Sequence, residues 1–124
     1  MTLGSAKLVA FAATTSAAKA RRFYRDTLGL RLIDDNPFAL VFDANGTMLR
    51  VQLVDRVVPP GYTVVGWQVK DIAKTVAALK RKRVKFNRYP GMDQDALGIW
   101  DSPSGARIAW FSDPDGNTLS LTEF

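Results

Sequence analysis

A short segment that occurs twice constrains the fold more than any other feature of this sequence. Each copy has an Asn-Gly or Asp-Gly turn followed by alternating apolar and polar residues, once in Asp43–Leu53 and once in Asp113–Glu123. Aligning the copies superimposes Gly46 and Gly116, Leu49 and Leu119, and Val51 and Leu121. Such turn residues accept positive φ, and strict alternation predicts a strand with one buried face. The chain is therefore predicted to use one small unit twice.

The segments before each copy also correspond. In the first half, Ser16 is predicted to cap a helix over residues 17–28 that ends at Gly29, after a strand within residues 7–15. Further strands are predicted over residues 30–34, 38–42 and 47–54. In the second half, Asp71 takes the place of Ser16 and caps a helix that follows a strand over residues 63–69. Strands near residues 84–88, 96–100, 106–111 and 117–124 complete this half.

One domain spanning residues 1–124 is expected, since its length suffices to bury a core without metal or disulfide support. Its two repeats cover about residues 7–55 and 63–124, and the linker over residues 55–62 contains Pro59-Pro60-Gly61. The second repeat is longer by a loop at residues 89–95. That loop either folds over a pocket or simply connects two strands, and we interpret it as a connection.

The composition excludes several kinds of chemistry. The sequence has no cysteine and no histidine, which removes thiol nucleophiles, the commonest general base and the commonest transition-metal ligand. The formal net charge is +5, partly in two basic clusters, Arg21-Arg22 and Lys80–Arg83, on predicted helices. We interpret these clusters as solvated faces and predict no nucleic-acid partner, because no recognition motif accompanies them. No stretch is long enough for a membrane span, so we predict no membrane association and a cytoplasmic location.

Two motifs carry a resemblance to a known family. The segment Phe23-Tyr-Arg-Asp-Thr-Leu-Gly-Leu30 and the turn Asp113-Pro-Asp-Gly116 stand at the expected places in the two repeats. With them, nearly the whole chain resembles the glyoxalase/bleomycin-resistance/dioxygenase group, the vicinal oxygen chelate superfamily. The resemblance implies an α+β fold in which two βαβββ modules form a curled mixed sheet around a cavity. Because this fold is found in both enzymes and binding proteins, the resemblance predicts architecture better than activity.

The resemblance also assigns four positions that hold metal ligands in metal-dependent members. They fall here on Val9 in the first strand, Val64 in the fifth, Ser120 in the last, and either Gln52 or Arg50 in the fourth. These side chains do not supply the converging donors that a divalent ion needs. We therefore predict no metal and no cofactor. Glu123 is not expected to substitute, because it is three residues past Ser120 and so belongs to the opposite face of the last strand or to the rim.

The same alternation predicts which side chains line the cavity. The lining is expected to be mostly apolar with a few polar groups, a combination that suits an organic ligand. Its predicted ligand-binding residues are Val9, Phe11, Arg50, Gln52, Val64, Gly66, Gln68, Trp100, Trp110, Thr118, Ser120 and Thr122. The faces of Trp100 and Trp110 are left open at this stage. Arg50 is the candidate for holding a carboxylate or phosphate, since guanidinium pairs with either in a bidentate manner.

The predicted function is metal-free binding of a small organic ligand, neutral or anionic, as in bleomycin-resistance-type members of the family, with no catalytic residue. A homodimer is expected, as the resemblance implies. The alternative is a glyoxalase-like lyase or isomerase with a metal-free site, in which Arg50 and Gln52 would stabilise an oxyanion. A third possibility is an interaction module with a vestigial cavity.

Overall fold

The computed structural model describes residues 2–124 and divides into two compact units between Val58 and Pro59. Each unit is built in the order strand, helix, three strands, and each contains a four-stranded mixed sheet. The predicted α+β fold of two βαβββ modules is thus confirmed. No helix in the described part of the chain has the length and apolar character needed to span a membrane.

The first unit contains a short 3-10 helix at Leu3–Ser5, followed by a longer helix and four strands. These are β1 (Val9–Thr14), α1 (Ala17–Arg21, continued as a π-helix over Arg22–Thr27), β2 (Arg31–Asp35), β3 (Ala39–Ala44) and β4 (Thr47–Leu53). The strand order is β1-β4-β3-β2, with β1 parallel to β4 and the other pairs antiparallel. The predicted hairpin joins β3 to β4, where Asn45 and Gly46 have φ values of 52° and 93°. Asp43 closes it by accepting a hydrogen bond from the Gly46 N–H at 3.0 Å.

The predicted helix start in this unit is confirmed, and the helix packs on the sheet. The Ser16 side chain accepts a hydrogen bond from the Lys19 N–H, which satisfies one of the free donors at the helix start. Tyr24 is fully buried, with its ring 5.7 Å from that of Phe42. Phe42 pairs with Leu49 across β3 and β4, so helix and sheet share one apolar core.

The second unit repeats this arrangement. It contains β5 (Thr63–Gln68), α2 (Ile72–Arg81), β6 (Trp100–Asp101), β7 (Arg107–Ser112) and β8 (Thr118–Glu123), in the sheet order β5-β8-β7-β6. Asp71 caps α2 as predicted, accepting from the Lys74 N–H at 3.1 Å. The helix buries Ile72 and Val76, and the sheet buries Phe111 and Leu119.

Two strand predictions in the second unit are wrong. Residues 84–88 form only an isolated bridge from Phe86 to Phe111, and the strand predicted over residues 96–100 begins at Trp100. The reason is the side chain of Gln94, which hydrogen-bonds to the Asn87 and Gly98 carbonyls. Local side-chain bonds therefore satisfy backbone groups that a longer ladder would have used.

Glu123 lies on the helix side of β8, away from Ser120, as predicted. Its carboxylate accepts a hydrogen bond of 3.0 Å from the Ile72 N–H, at the start of α2. A negative group is favourable there because the first N–H groups of a helix are free and its N-terminus is partially positive. Glu123 therefore stabilises the fold of this unit.

Candidate functional site

One face of the first sheet carries the four candidate residues of this unit. The register places Val9 beside Met48, Phe11 beside Arg50, and Ala13 beside Gln52, so that alternate residues of β1 and β4 share a face. Val9 and Phe11 are 40% and 49% exposed. This face is opposite to the one that carries Leu49 and Val51.

Arg50 lies half-buried on this face. It is flanked by Phe11 on β1 and by Val41 on β3, and its guanidinium lies 4.0 Å from the sulfur of Met48. Across residues 2–124, no acidic side chain forms an ion pair with Arg50. Its charge is therefore available to an anion from outside this unit.

The second sheet presents an equivalent face, and its register decides where the tryptophans lie. Ser120 on β8 stands between Gly66 on β5 and Trp110 on β7. Thr122 stands between Gln68 and Ile108, and Ile108 pairs in turn with Trp100. One face consequently holds most of the candidates of this unit: Gly66, Gln68, Trp100, Trp110, Thr118, Ser120 and Thr122. Val64 falls where the register shifts between Thr63 and Val65 and has no partner in the strand pairing.

Trp110 is the centre of an aromatic cluster on this face. Its ring centroid lies 6.1 Å from that of Trp100, in a tilted arrangement. The ring of Tyr89 also meets it edge-on, at 5.6 Å and an interplanar angle of 86°. Trp67 lies on the opposite face of the sheet and stacks on Phe111. The two tryptophans of the exposed face thus form a surface for a flat molecule.

A cavity of about 320 Å³ adjoins this cluster. It is lined by Gly61, Tyr62, Thr63, Tyr89, Met92, Trp110 and Thr118. Among these, Thr118 was predicted from alternation, and Trp110 was a candidate whose face alternation left open. The other residues lie on loops or at a strand end, where alternation carries no information. The aromatic residues of the loops, Tyr62 and Tyr89, were the available signal.

The loop over residues 89–95 is therefore part of the cavity wall rather than a simple connection, which corrects our interpretation of the sequence. Gln94 holds it in place: its amide donates to the carbonyls of Asn87 and Gly98, and its oxygen accepts from the Tyr89 N–H at 2.8 Å. Arg88 adds two hydrogen bonds to the carbonyls of Gln94 and Asp95. This bonding fixes the position of Tyr89 against Trp110.

The residues at the four family ligand positions do not fit a metal ion. Val9 and Val64 have only hydrocarbon side chains. Ser120 and Gln52 are weak neutral ligands, and Arg50, the alternative to Gln52, is a cation that repels a metal ion. Within residues 2–124, no three histidine, cysteine, aspartate or glutamate side chains converge as a possible metal site. The chemistry of the donors therefore gives no basis for a metal-dependent step.

The repeated βαβββ unit, with an open face carrying polar and aromatic side chains, defines a glyoxalase-like protein. The family model described as the Glyoxalase/Bleomycin resistance protein/Dioxygenase superfamily matches residues 8–121, and the chain belongs to this superfamily. The comparison with curated proteins found no match.

Solved structures of the same fold accompany this assignment. A superfamily member from Sphaerobacter thermophilus is 27% identical, with a TM-score of 0.71 and coverage of 97% of this chain and 98% of that one. The antibiotic-binding protein TnmS3 from a Streptomyces species is 25% identical, with a TM-score of 0.70 and coverage of 96% and 95%. A lactoylglutathione lyase from Agrobacterium tumefaciens has a TM-score of 0.73 at 17% identity, with coverage of 96% and 93%. The last similarity extends to the fold alone.

Proposed function

We propose that this protein binds a small organic ligand, neutral or anionic, without a metal and without transforming it. The observation that carries the proposal is the cavity of about 320 Å³ in the second unit, with Tyr62, Tyr89 and Trp110 in its wall. Its volume lies at the lower end of the range for small-molecule sites. The ligand is therefore a compact molecule with at least one flat, apolar surface.

The wall combines the two kinds of group that a binding site needs. Aromatic rings supply a large apolar contact, and the edge-on packing of Tyr89 leaves the ring of Trp110 fixed for stacking. Thr63 and Thr118 add hydroxyl groups, which donate or accept hydrogen bonds and so orient a polar substituent. Binding with a defined orientation is the chemistry this arrangement supports.

The same wall offers little for acid–base catalysis. Among the described residues that line the cavity there is no carboxylate and no lysine or arginine, and the sequence has no histidine. Proton transfer in a reaction requires a titratable group within hydrogen-bond reach of the reacting atom, and the phenols of Tyr62 and Tyr89 are the titratable groups of this wall, with no carboxylate, lysine or arginine beside them to exchange a proton. This absence favours binding over lyase or isomerase chemistry.

Two further observations support the proposal. The antibiotic-binding protein TnmS3 is 25% identical over 96% of this chain. We therefore propose a drug-like small molecule as the class of ligand. The formal charge of +5 attracts anions and repels strongly cationic ligands over a distance. We also propose a homodimer, since β1 and β5 each lie at the edge of their sheet and edge strands favour a partner.

The test is a ligand screen with variants on the two faces of the second sheet. Flat aromatic compounds, neutral and anionic, are screened by thermal shift, and hits are titrated by tryptophan fluorescence. We expect Trp110→Leu to weaken binding at least tenfold. Trp67→Phe, on the opposite face, is the control and should bind as the wild type does. Equal affinity of wild type and Trp110→Leu for every hit would contradict the proposal.

A further inference from the structure

The second unit has another cavity, on a surface that the proposed function does not use. Its volume is about 440 Å³, and it is lined by Lys80, Arg83, Val84, Lys85, Phe86, Arg88, Ala96 and Leu97. We call it the basic cleft. It has no lining residue in common with the aromatic cavity. Val84 and Phe86 are 8% and 6% exposed, so the apolar part of its wall is anchored in the core.

Four cationic side chains line the basic cleft, and no acidic residue does. Lys80, Arg83 and Lys85 form no ion pair with any acidic residue in the part of the chain that the structure describes. Like charges around a concave surface with an apolar wall raise the local positive potential. An anion that entered the cleft would relieve this repulsion.

The backbone conformation of Arg83 is one that glycine would adopt with less strain than arginine. Arg83 follows the end of α2 with φ of 68°, a left-handed conformation that glycine adopts more readily than any other residue. The N–H groups of Arg83 and Val84 close the helix by bonding to the Lys80 and Leu79 carbonyls, at 2.9 and 3.0 Å. Glycine would make the same backbone bonds without strain. Ending the helix therefore does not explain the guanidinium at this position.

Arg88 gives the cleft a fixed positive charge. Its guanidinium donates to the carbonyls of Asp95 and Gln94, at 2.9 and 3.0 Å, which are uncharged acceptors and leave the net charge in place. The same bonds hold the chain next to Ala96 and Leu97, which form part of the cleft wall. Interaction with the partially negative end of α2 is favourable for Lys80 and Arg83, but it does not account for Lys85 and Arg88, which lie farther beyond the helix.

We propose that the basic cleft binds a small molecule that carries a phosphate group on an apolar body. Arginine pairs with phosphate through two parallel hydrogen bonds, and lysine adds a mobile charge, so this set of side chains suits a dianion. Leu97 and the small exposed parts of Val84 and Phe86 supply the surface for the apolar part. The four cationic side chains are exposed and lie in one patch beside an apolar wall rather than along a track, which favours a compact ligand over the backbone of a nucleic acid.

The experiment uses hexyl phosphate as the probe, because its aliphatic body is a poor match for the aromatic cavity. Binding to the full chain is measured by calorimetry and mapped by amide chemical shifts, with inorganic phosphate and 1-hexanol as the separate halves of the probe. We expect hexyl phosphate to bind at least tenfold more tightly than either half, and to shift amides of residues 80–88 and 96–97. Trp110→Leu should leave this affinity unchanged, which separates the result from the proposed function.

Variants of the cleft complete the test. Arg83→Gly removes the charge and relieves the strained φ, so it should lose at least tenfold in affinity while its melting temperature stays equal or rises. Lys85→Gln should weaken binding as well, and Lys74→Gln, an exposed lysine of α2 outside the cleft, should not. Unchanged affinity in Arg83→Gly and Lys85→Gln would overturn the proposal. Single-stranded DNA is a second probe for the same variants. If the wild type binds this DNA but no hexyl phosphate, and both variants lose DNA binding, the proposal is also overturned.

Discussion

A Cβ atom built on Gly66 would lie 2.6 Å from the Oγ of Ser120, the residue that faces it across β5 and β8. That separation is shorter than any normal contact between carbon and oxygen. The next nearest atoms of Ser120 are its carbonyl oxygen at 3.6 Å and its Cβ at 3.9 Å, both at ordinary distances. The conflict therefore lies in one hydroxyl group, at the position where metal-dependent relatives are expected to place their last ligand.

Gly66→Ala should destabilise the protein only while Ser120 keeps its hydroxyl. In the wild type, the extra methyl group forces the serine to rotate or the strands to move, at a cost of about 1 kcal/mol or more. In a Ser120→Ala background the same change should be neutral or stabilising by about 0.4–1 kcal/mol, because alanine reduces the freedom of the unfolded chain. Urea unfolding of the four variants measures the coupling. Strictly additive effects would show that the two side chains do not compete for space.

Gln94→Ala should loosen the loop that lines the aromatic cavity. The buried amide bonds to the backbone of Tyr89, Asn87 and Gly98, so its removal leaves partly buried backbone groups without their partner, at about 1–3 kcal/mol. Ligand binding at Trp110 should weaken with it, since Tyr89 loses its support. Asp93→Ala, an exposed change in the same loop, should alter stability by no more than about 0.5 kcal/mol. Equal melting temperatures for the two variants would refute the role given to Gln94.

Arg50→Ala tests the polar face of the first sheet, whose residues do not line the aromatic cavity. An anionic ligand that binds on this face should lose roughly 1.5–3 kcal/mol, because a charge-assisted contact is lost and no acidic partner competes for Arg50 in its own unit. Stability should change little, since the side chain is only half-buried and forms no ion pair. Calorimetric titration of Arg50→Ala and Gln52→Ala with the same ligand makes the comparison. Wild-type affinity in both variants would exclude the polar side of β4 from binding.

The purified protein should contain no stoichiometric divalent metal, because Val9, Val64 and Ser120 stand at three of the four family ligand positions. Elemental analysis after dialysis is the measurement. One tightly held zinc, nickel, iron or manganese ion per chain would invalidate the assignment of these positions and the binding function built on it.

The protein should be a homodimer in solution. β1 and β5 each lie at the edge of their sheet, and β1 carries the exposed apolar side chains Val9 and Phe11, which favour burial against a second chain. Light scattering over a range of concentrations gives the mass directly. A monomer of 13.7 kDa at every concentration would contradict this expectation.

The order of elements followed from the sequence because it depends on local rules. Ser16 and Asp71 cap helices, Gly29 adopts positive φ after the first, and the paired turns at Gly46 and Gly116 introduce alternating strands; all of these are short-range effects. Alternation also separates the two faces of β4 and β8, since neighbouring side chains of a strand point in opposite directions. The predicted faces of Arg50, Ser120 and Glu123 follow from that geometry.

What alternation within one strand cannot decide is how strands align and where loops lie. The faces of Trp100 and Trp110 depend on the register of β6, β7 and β8, which arises from pairing between distant segments. The walls of both cavities include residues of the segment between α2 and β6. This segment is a loop rather than the predicted strands, and it is held by hydrogen bonds from the Gln94 side chain to the backbone. Tyr89 and Arg88 line a cavity only because of contacts with residues elsewhere in the chain. Their roles therefore could be found only from the tertiary structure.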